Sequence, residues 1–77
     1  MDIPLTDVIV HIDETLSEQE LQAIEGNLRG HDGVVSVHVQ PEKRHLLVVQ
    51  YNPSHIGSAG ILDAVTSKGV HAELVGL

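Results

Sequence analysis

The sequence predicts an α+β sandwich, a four-stranded antiparallel sheet with two helices on one face, and three observations carry that prediction. Short β-branched runs with a period of two alternate with segments whose apolar residues recur at helical spacing, in the order βαββαβ. The chain has 77 residues, which at roughly 100–200 residues per domain is room for a single domain over residues 1–77. Phe, Trp and Cys are absent while 42% of residues are hydrophobic and 19% charged, so a globular core has to be made of Val, Leu, Ile and Ala, without disulfides.

Residues 5–12, Leu-Thr-Asp-Val-Ile-Val-His-Ile, read as the first strand, with Val8, Val10 and Ile12 inward and Asp7, Ile9 and His11 outward. Ser17-Glu18-Gln19-Glu20 has capping-box spacing, so a helix is expected from 18 to 29. Leu21, Ile24 and Leu28 form its buried stripe, Gly26 weakens it, and Gly30 and Gly33 close it. Val34 to Gln40 is the second strand, Pro41-Glu42-Lys43-Arg44 a polar turn, and His45 to Tyr51 the third strand. Asn52-Pro53-Ser54 breaks the chain. Ser58 leads a second helix carrying Ile61, Leu62 and Val65, which Gly69 stops, and Val70 to Val75 is the last strand. The compact solution is the ferredoxin-like sandwich, with the strands in spatial order 4-1-3-2 and both helices on one face.

Charge and composition exclude several function classes. A net charge of −7 repels phosphate backbones and anionic lipid, which argues against nucleic-acid and membrane partners. No apolar run approaches the roughly 18–20 residues of a membrane span. The first residues carry neither a basic stretch nor an apolar one, so a cytoplasmic location is expected. Lack of cysteine removes thiolate metal sites, iron–sulfur ligation and thiol catalysis.

The spacing of Ile24 and Leu28, of Gly33-Val34, Val37 and Val39, of Leu47, Val49 and Tyr51-Asn52-Pro53, of Ile61-Leu62, and of Gly69-Val70-His71-Ala72-Glu73-Leu74-Val75 resembles the heavy-metal-associated domain. That is the fold of small copper chaperones and of the N-terminal modules of metal-transporting ATPases. The resemblance covers about residues 5–75 and rests on core and turn positions, so it speaks to fold more than to activity. In that family the activity lies in a Met-x-Cys-x-x-Cys loop after the first strand. Counting back from Gly33-Val34, the methionine position falls on Thr15 and the two thiol positions on Ser17 and Glu20. Hydroxyl and carboxylate oxygens are hard donors where Cu(I) prefers soft thiolate, so the family's metal loop is not carried over. The helix cap accounts for Ser17 and Glu20.

Histidine is the other candidate ligand, and there are six. Neutral imidazole binds Zn, Ni, Co and Cu(II). No helical i, i+3 or i, i+4 pair occurs. In the expected sandwich His11 and His71 reach the open sheet face from neighbouring strands near the loop 13–17, which makes them the candidate pair, with Asp13, Glu14 or a second subunit completing the ligands. His38 faces the same side from the second strand, about 10 Å away across two strand spacings. His31 and His55 fall in loops at the opposite end, where they could approach one another, and the facing of His45 is left open. The ordinary reading of outward and loop histidines is a solvated surface. Ile9, Leu46 and Val48, with His38 among them and Val35 and Val75 as neighbours, put aliphatic groups on the open face of the central strands, a pattern that marks an interface for a protein partner or for self-association. The ordinary reading is scattered surface aliphatics.

Enzyme chemistry is not expected. Acylphosphatases share the βαββαβ plan, but they resemble this chain in fold only: they need an arginine in a Gly-rich loop where Asp13-Glu14-Thr15-Leu16-Ser17 stands. Nucleotide loops and nucleophile elbows are also lacking. Two classes stay open: a heavy-metal-associated-like module without the thiolate site that holds Zn, Ni, Co or Cu(II) through histidine, and an interaction or dimerisation module that uses the open face and no metal.

Overall fold

The computed structural model describes residues 4–75. Along the chain run β1 (Thr6–Ile12), α1 (Glu18–Arg29), β2 (Val34–Gln40), β3 (Lys43–Tyr51), α2 (Ser58–Thr66) and β4 (Ala72–Val75). The strands join into one antiparallel sheet in the order β2-β3-β1-β4, the order the sequence predicts.

Strand alternation organises the core. Val8, Val10 and Ile12 of β1 and Leu47, Val49 and Tyr51 of β3 are buried, and the ladder sets Val8 against Val49 and Val10 against Leu47. They pack in one cluster with Val37 of β2, Leu21, Ile24 and Leu28 of α1, and Ile61, Ala64 and Val65 of α2. Both helices therefore cover the same face, and the intervening residues Asp7, Ile9, His11, Leu46 and Val48 lie on the other.

The capping box forms as the spacing predicts. The Ser17 hydroxyl accepts from the Glu20 amide at 3.2 Å, and the Ser17 amide donates to the Glu20 carboxylate at 3.0 Å. At the other end of α1, Gly33 adopts φ +96°, and a Cβ there would lie 2.8 Å from Cβ of His55 and 2.9 Å from Cγ2 of Ile56. Its carbonyl accepts the Asn52 amide at 2.7 Å, which ties the start of β2 to the turn after β3. The N-terminus of α2 is capped by the Gly57 backbone without a side-chain bond. Burial of its apolar face and a bond from Asn27 Nδ2 to the Ala64 carbonyl, 3.2 Å, hold it against α1.

Two strand boundaries differ from the sequence reading. The β2–β3 turn is Pro41-Glu42 alone, because Gln40 pairs with Lys43 and a register irregularity between Val39 and Gln40 takes up the extra residues on β3. The last strand begins at Ala72, not Val70. Gly69 turns the chain at φ +87°, and the His71 amide donates to the Glu14 carboxylate at 2.9 and 3.1 Å, so it is not available to a ladder.

Replacing Ser17 by Ala removes the cap acceptor. Urea unfolding is expected to show a loss of about 0.5–2 kcal/mol with an unchanged denaturant slope. An unchanged midpoint would refute the capping role.

Candidate functional site

The loop between β1 and α1 holds the positions at which the resembling family carries its thiols, and here they are engaged in helix capping. The Ser17 amide, and then its hydroxyl, hold the Glu20 carboxyl below its ordinary pKa of 4.5. The cap thus stabilises an anionic oxygen and presents no soft donor.

A different group forms where β1 ends. His11 faces outward on β1, and the ladder sets it opposite Glu73 on β4 and Leu46 on β3. Its Nδ1 lies 2.8 Å from Oε1 of Glu73 and 3.2 Å from Oδ1 of Asp13. Ligand atoms of His11, Asp13 and Glu73 all lie within 4.8 Å of one another. Ionised carboxylates only accept, so Nδ1 is the protonated ring nitrogen. The three side chains are 39, 51 and 55% exposed respectively, which leaves the group open to ions from solvent.

The sequence reading set His71 across from His11. The ladder instead runs Ile12 to Ala72 and His11 to Glu73, while His71 sits beside Asp13, whose amide donates to the His71 carbonyl at 2.9 Å. Its ring turns to Glu14, with Nδ1 2.8 Å from Oε2. That hydrogen bond, followed by the Coulombic attraction, raises the His71 pKa above 6.5. The bond from the His71 ring, followed by that from its backbone amide, lowers the Glu14 carboxyl below 4.5. The register of β4 against β1 is two residues along from the expected pairing, which brings Glu73 to His11. His45 was also missed as a neighbour: its Nδ1 donates to the Ile12 carbonyl at 2.7 Å, and its ring stacks on that of His11 at 5.8 Å and 19°.

The remaining histidines lie apart from this group. His31 donates from Nδ1 to the Asn27 carbonyl at 2.9 Å, and His55 Nδ1 lies 3.3 Å from Oδ2 of Asp32. His38 is exposed on β2 opposite Val48, and Val48, Ile9 and Val75 follow it in one row across the sheet. Leu46, Val48 and Ile9 are half-buried, and Val75 is exposed. Between α1 and the β2 edge is a groove of about 330 Å³, where Arg29 pairs with Glu25 at 3.1 Å and Arg44 with Glu18 at 3.2 Å. No helix among the described residues is long and apolar enough to cross a membrane.

No protein-family model matches the chain, and no curated protein matches it in sequence. Solved structures do match in fold. The N-terminal domain of a potential copper-translocating P-type ATPase from Bacillus subtilis, in its Cu(I)-loaded state, superposes with a TM-score of 0.84 at 22% identity, over 95% of this chain and 90% of that one. The fold is that of the heavy-metal-associated domain. The CopZ metallochaperone gives a TM-score of 0.76 at 26% identity over 91% of this chain and all of that one. Oxidized MerP from Ralstonia metallidurans CH34 gives 0.81 at 14% identity, over 92% and 97% of the two chains. Unlike a thiolate-bearing heavy-metal-associated domain, this chain has no cysteine, and its donors here are imidazole and carboxylate. That set does not fit Cu(I), whose preferred ligands are thiolate and thioether.

The Glu14–His71 bonds clamp the β1–α1 loop to the start of β4, and their contribution depends on pH in both directions. Glu14 titrates lower in the folded state, so its part is present above about pH 4.5 and lost as pH falls through the lower folded value. His71 titrates higher, so its part is present below about pH 6.5 and lost as pH rises through the higher folded value. In chelator-treated protein, the melting-temperature difference between the parent and His71→Ala is expected to be largest near pH 5–6 and to shrink towards about pH 3 and pH 9. A difference independent of pH would refute an ionic clamp.

Proposed function

We propose that this chain is a heavy-metal-associated-like binding module without the thiolate site, holding a divalent transition metal ion where the end of β1 meets β4. The observation that carries the reading is the convergence of His11 Nδ1 with Oε1 of Glu73 and Oδ1 of Asp13, at 2.8 and 3.2 Å. One borderline nitrogen and two hard oxygens suit Zn, Ni, Co or Cu(II) better than Cu(I). The net charge of −7 raises the local concentration of cations. His71, next to Asp13 and with Nδ1 engaged by Glu14, has Nε2 left to offer as a further ligand. Ligation through Nδ1 of His11 requires the ring proton at Nε2, so binding is accompanied by a change of tautomer. The reading is of a binder, with no reaction assigned.

Calorimetric titration tests it. Zn, Ni, Co and Cu(II) are expected to bind more tightly than Cu(I) supplied anaerobically. His11→Ala is expected to weaken binding by about tenfold or more, equivalent to about 1.4 kcal/mol. His71→Ala should weaken it by a smaller factor and His55→Ala should leave it unchanged. Equal losses in all three variants would mean diffuse surface chelation and would refute the site.

A second reading, a partner-docking or self-association module, is favoured by the row His38, Val48, Ile9 and Val75 beside Leu46. Aliphatic groups collected on the helix-free side of central strands are what an interface buries. Val48→Lys is expected to shift any associated form to monomer in sedimentation while leaving the melting temperature nearly unchanged, since Val48 does not face the helices. A parent that sediments as monomer throughout and behaves as the variant does would remove the self-association form of this reading.

A further inference from the structure

We infer that His45 is the positioning residue of the His11 centre: a ring anchored on the backbone that holds the His11 imidazole with Nδ1 turned to Asp13 and Glu73. The inference deepens the metal reading above and rests on it.

His45 stands where β3 meets the register irregularity of the β2–β3 hairpin, and plain alternation from Leu47 and Val49 would send its side chain towards the helices. Its Nδ1 instead donates to the Ile12 carbonyl at 2.7 Å. Because Ile12 directly follows His11 in β1, that bond fixes the ring beside the backbone that carries His11. The two rings then lie nearly parallel, 19° apart with centroids at 5.8 Å. His11 on an open strand face would otherwise turn about its χ2 bond, which is broad and roughly two-fold for an sp² ring, and present either edge to the carboxylates. A parallel ring along one side restricts that rotation. The arrangement is that of an outer residue orienting a ligating imidazole through contact, without joining the ligand set.

Co(II) titration followed by absorbance, alongside ¹⁵N-detected histidine spectra of metal-free protein, tests the assignment. His45→Ala is expected to lower Co(II) affinity by about tenfold and to replace the single Nδ1–H signature of His11 in the metal-free protein by a tautomer mixture. His45→Phe, which keeps a flat ring but loses the bond to the Ile12 carbonyl, is expected to restore both only in part. His45→Ala binding Co(II) as the parent does would overturn the inference while leaving the metal reading standing. His45→Phe equal to the parent would overturn the anchoring by the Ile12 bond, and His45→Phe as weak as His45→Ala would overturn the stack as the orienting contact. A parent that binds no Co(II) would refute the metal reading. In that case an unchanged His11 tautomer in His45→Ala would overturn the positioning role as well, and a shifted one would support the orientation of His11 by His45.

Discussion

Val8, Val10 and Ile12 on β1 pack beside Leu47, Val49 and Tyr51 on β3, and this buried strip beneath the two helices is the constraint from which the other features follow. No Phe or Trp is present to fill gaps, so the core depends on many branched side chains meeting in register. A slip of one residue on either strand would send the whole set to solvent and bring His11, Ile9 and Val48 against the helices. Full burial of each large aliphatic contributes about 1.5–3 kcal/mol, which pins the register firmly. The functional candidates occupy what is left: the open face and the strand ends.

The same division is visible at the loop after the first strand. The loop after β1 enters α1 through a closed capping box, in which Glu20 and Ser17 satisfy each other. Capping needs oxygen acceptors at the same positions where soft-metal binding needs sulfur. One chain segment therefore serves to start a helix, and the candidate donors lie a short way off, on the outward residues that end β1 and meet β4.

The ladder also settles the electrostatics of this end of the sheet. Asp13, Glu14 and Glu73 meet His11 and His71 there, so the carboxylates are partnered by rings whose Nδ1 protons point at them. These contacts are exposed and individually weak, and their direction matters more than their strength. They leave Nε2 of His11 and of His71 unengaged by the carboxylates, while the His45 ring stands against His11 from β3.

Much of this was determined by the sequence alone. The capping box at Ser17, the inward set of β1, the stripe Leu21, Ile24 and Leu28, and the strand order were all legible, because each is set by local spacing or by the few topologies that bury one face. Tertiary structure decided the pairings on which the site depends. Whether Glu73 or His71 lies across from His11 turns on the register of β4 against β1, in which His11 and Glu73 are 62 residues apart along the chain. The facing of His45 turns on an irregular register in the hairpin and on an acceptor, the Ile12 carbonyl, on another strand. Both are contacts between residues far apart in sequence, and a period of two or 3.6 carries no information about which distant residue completes them.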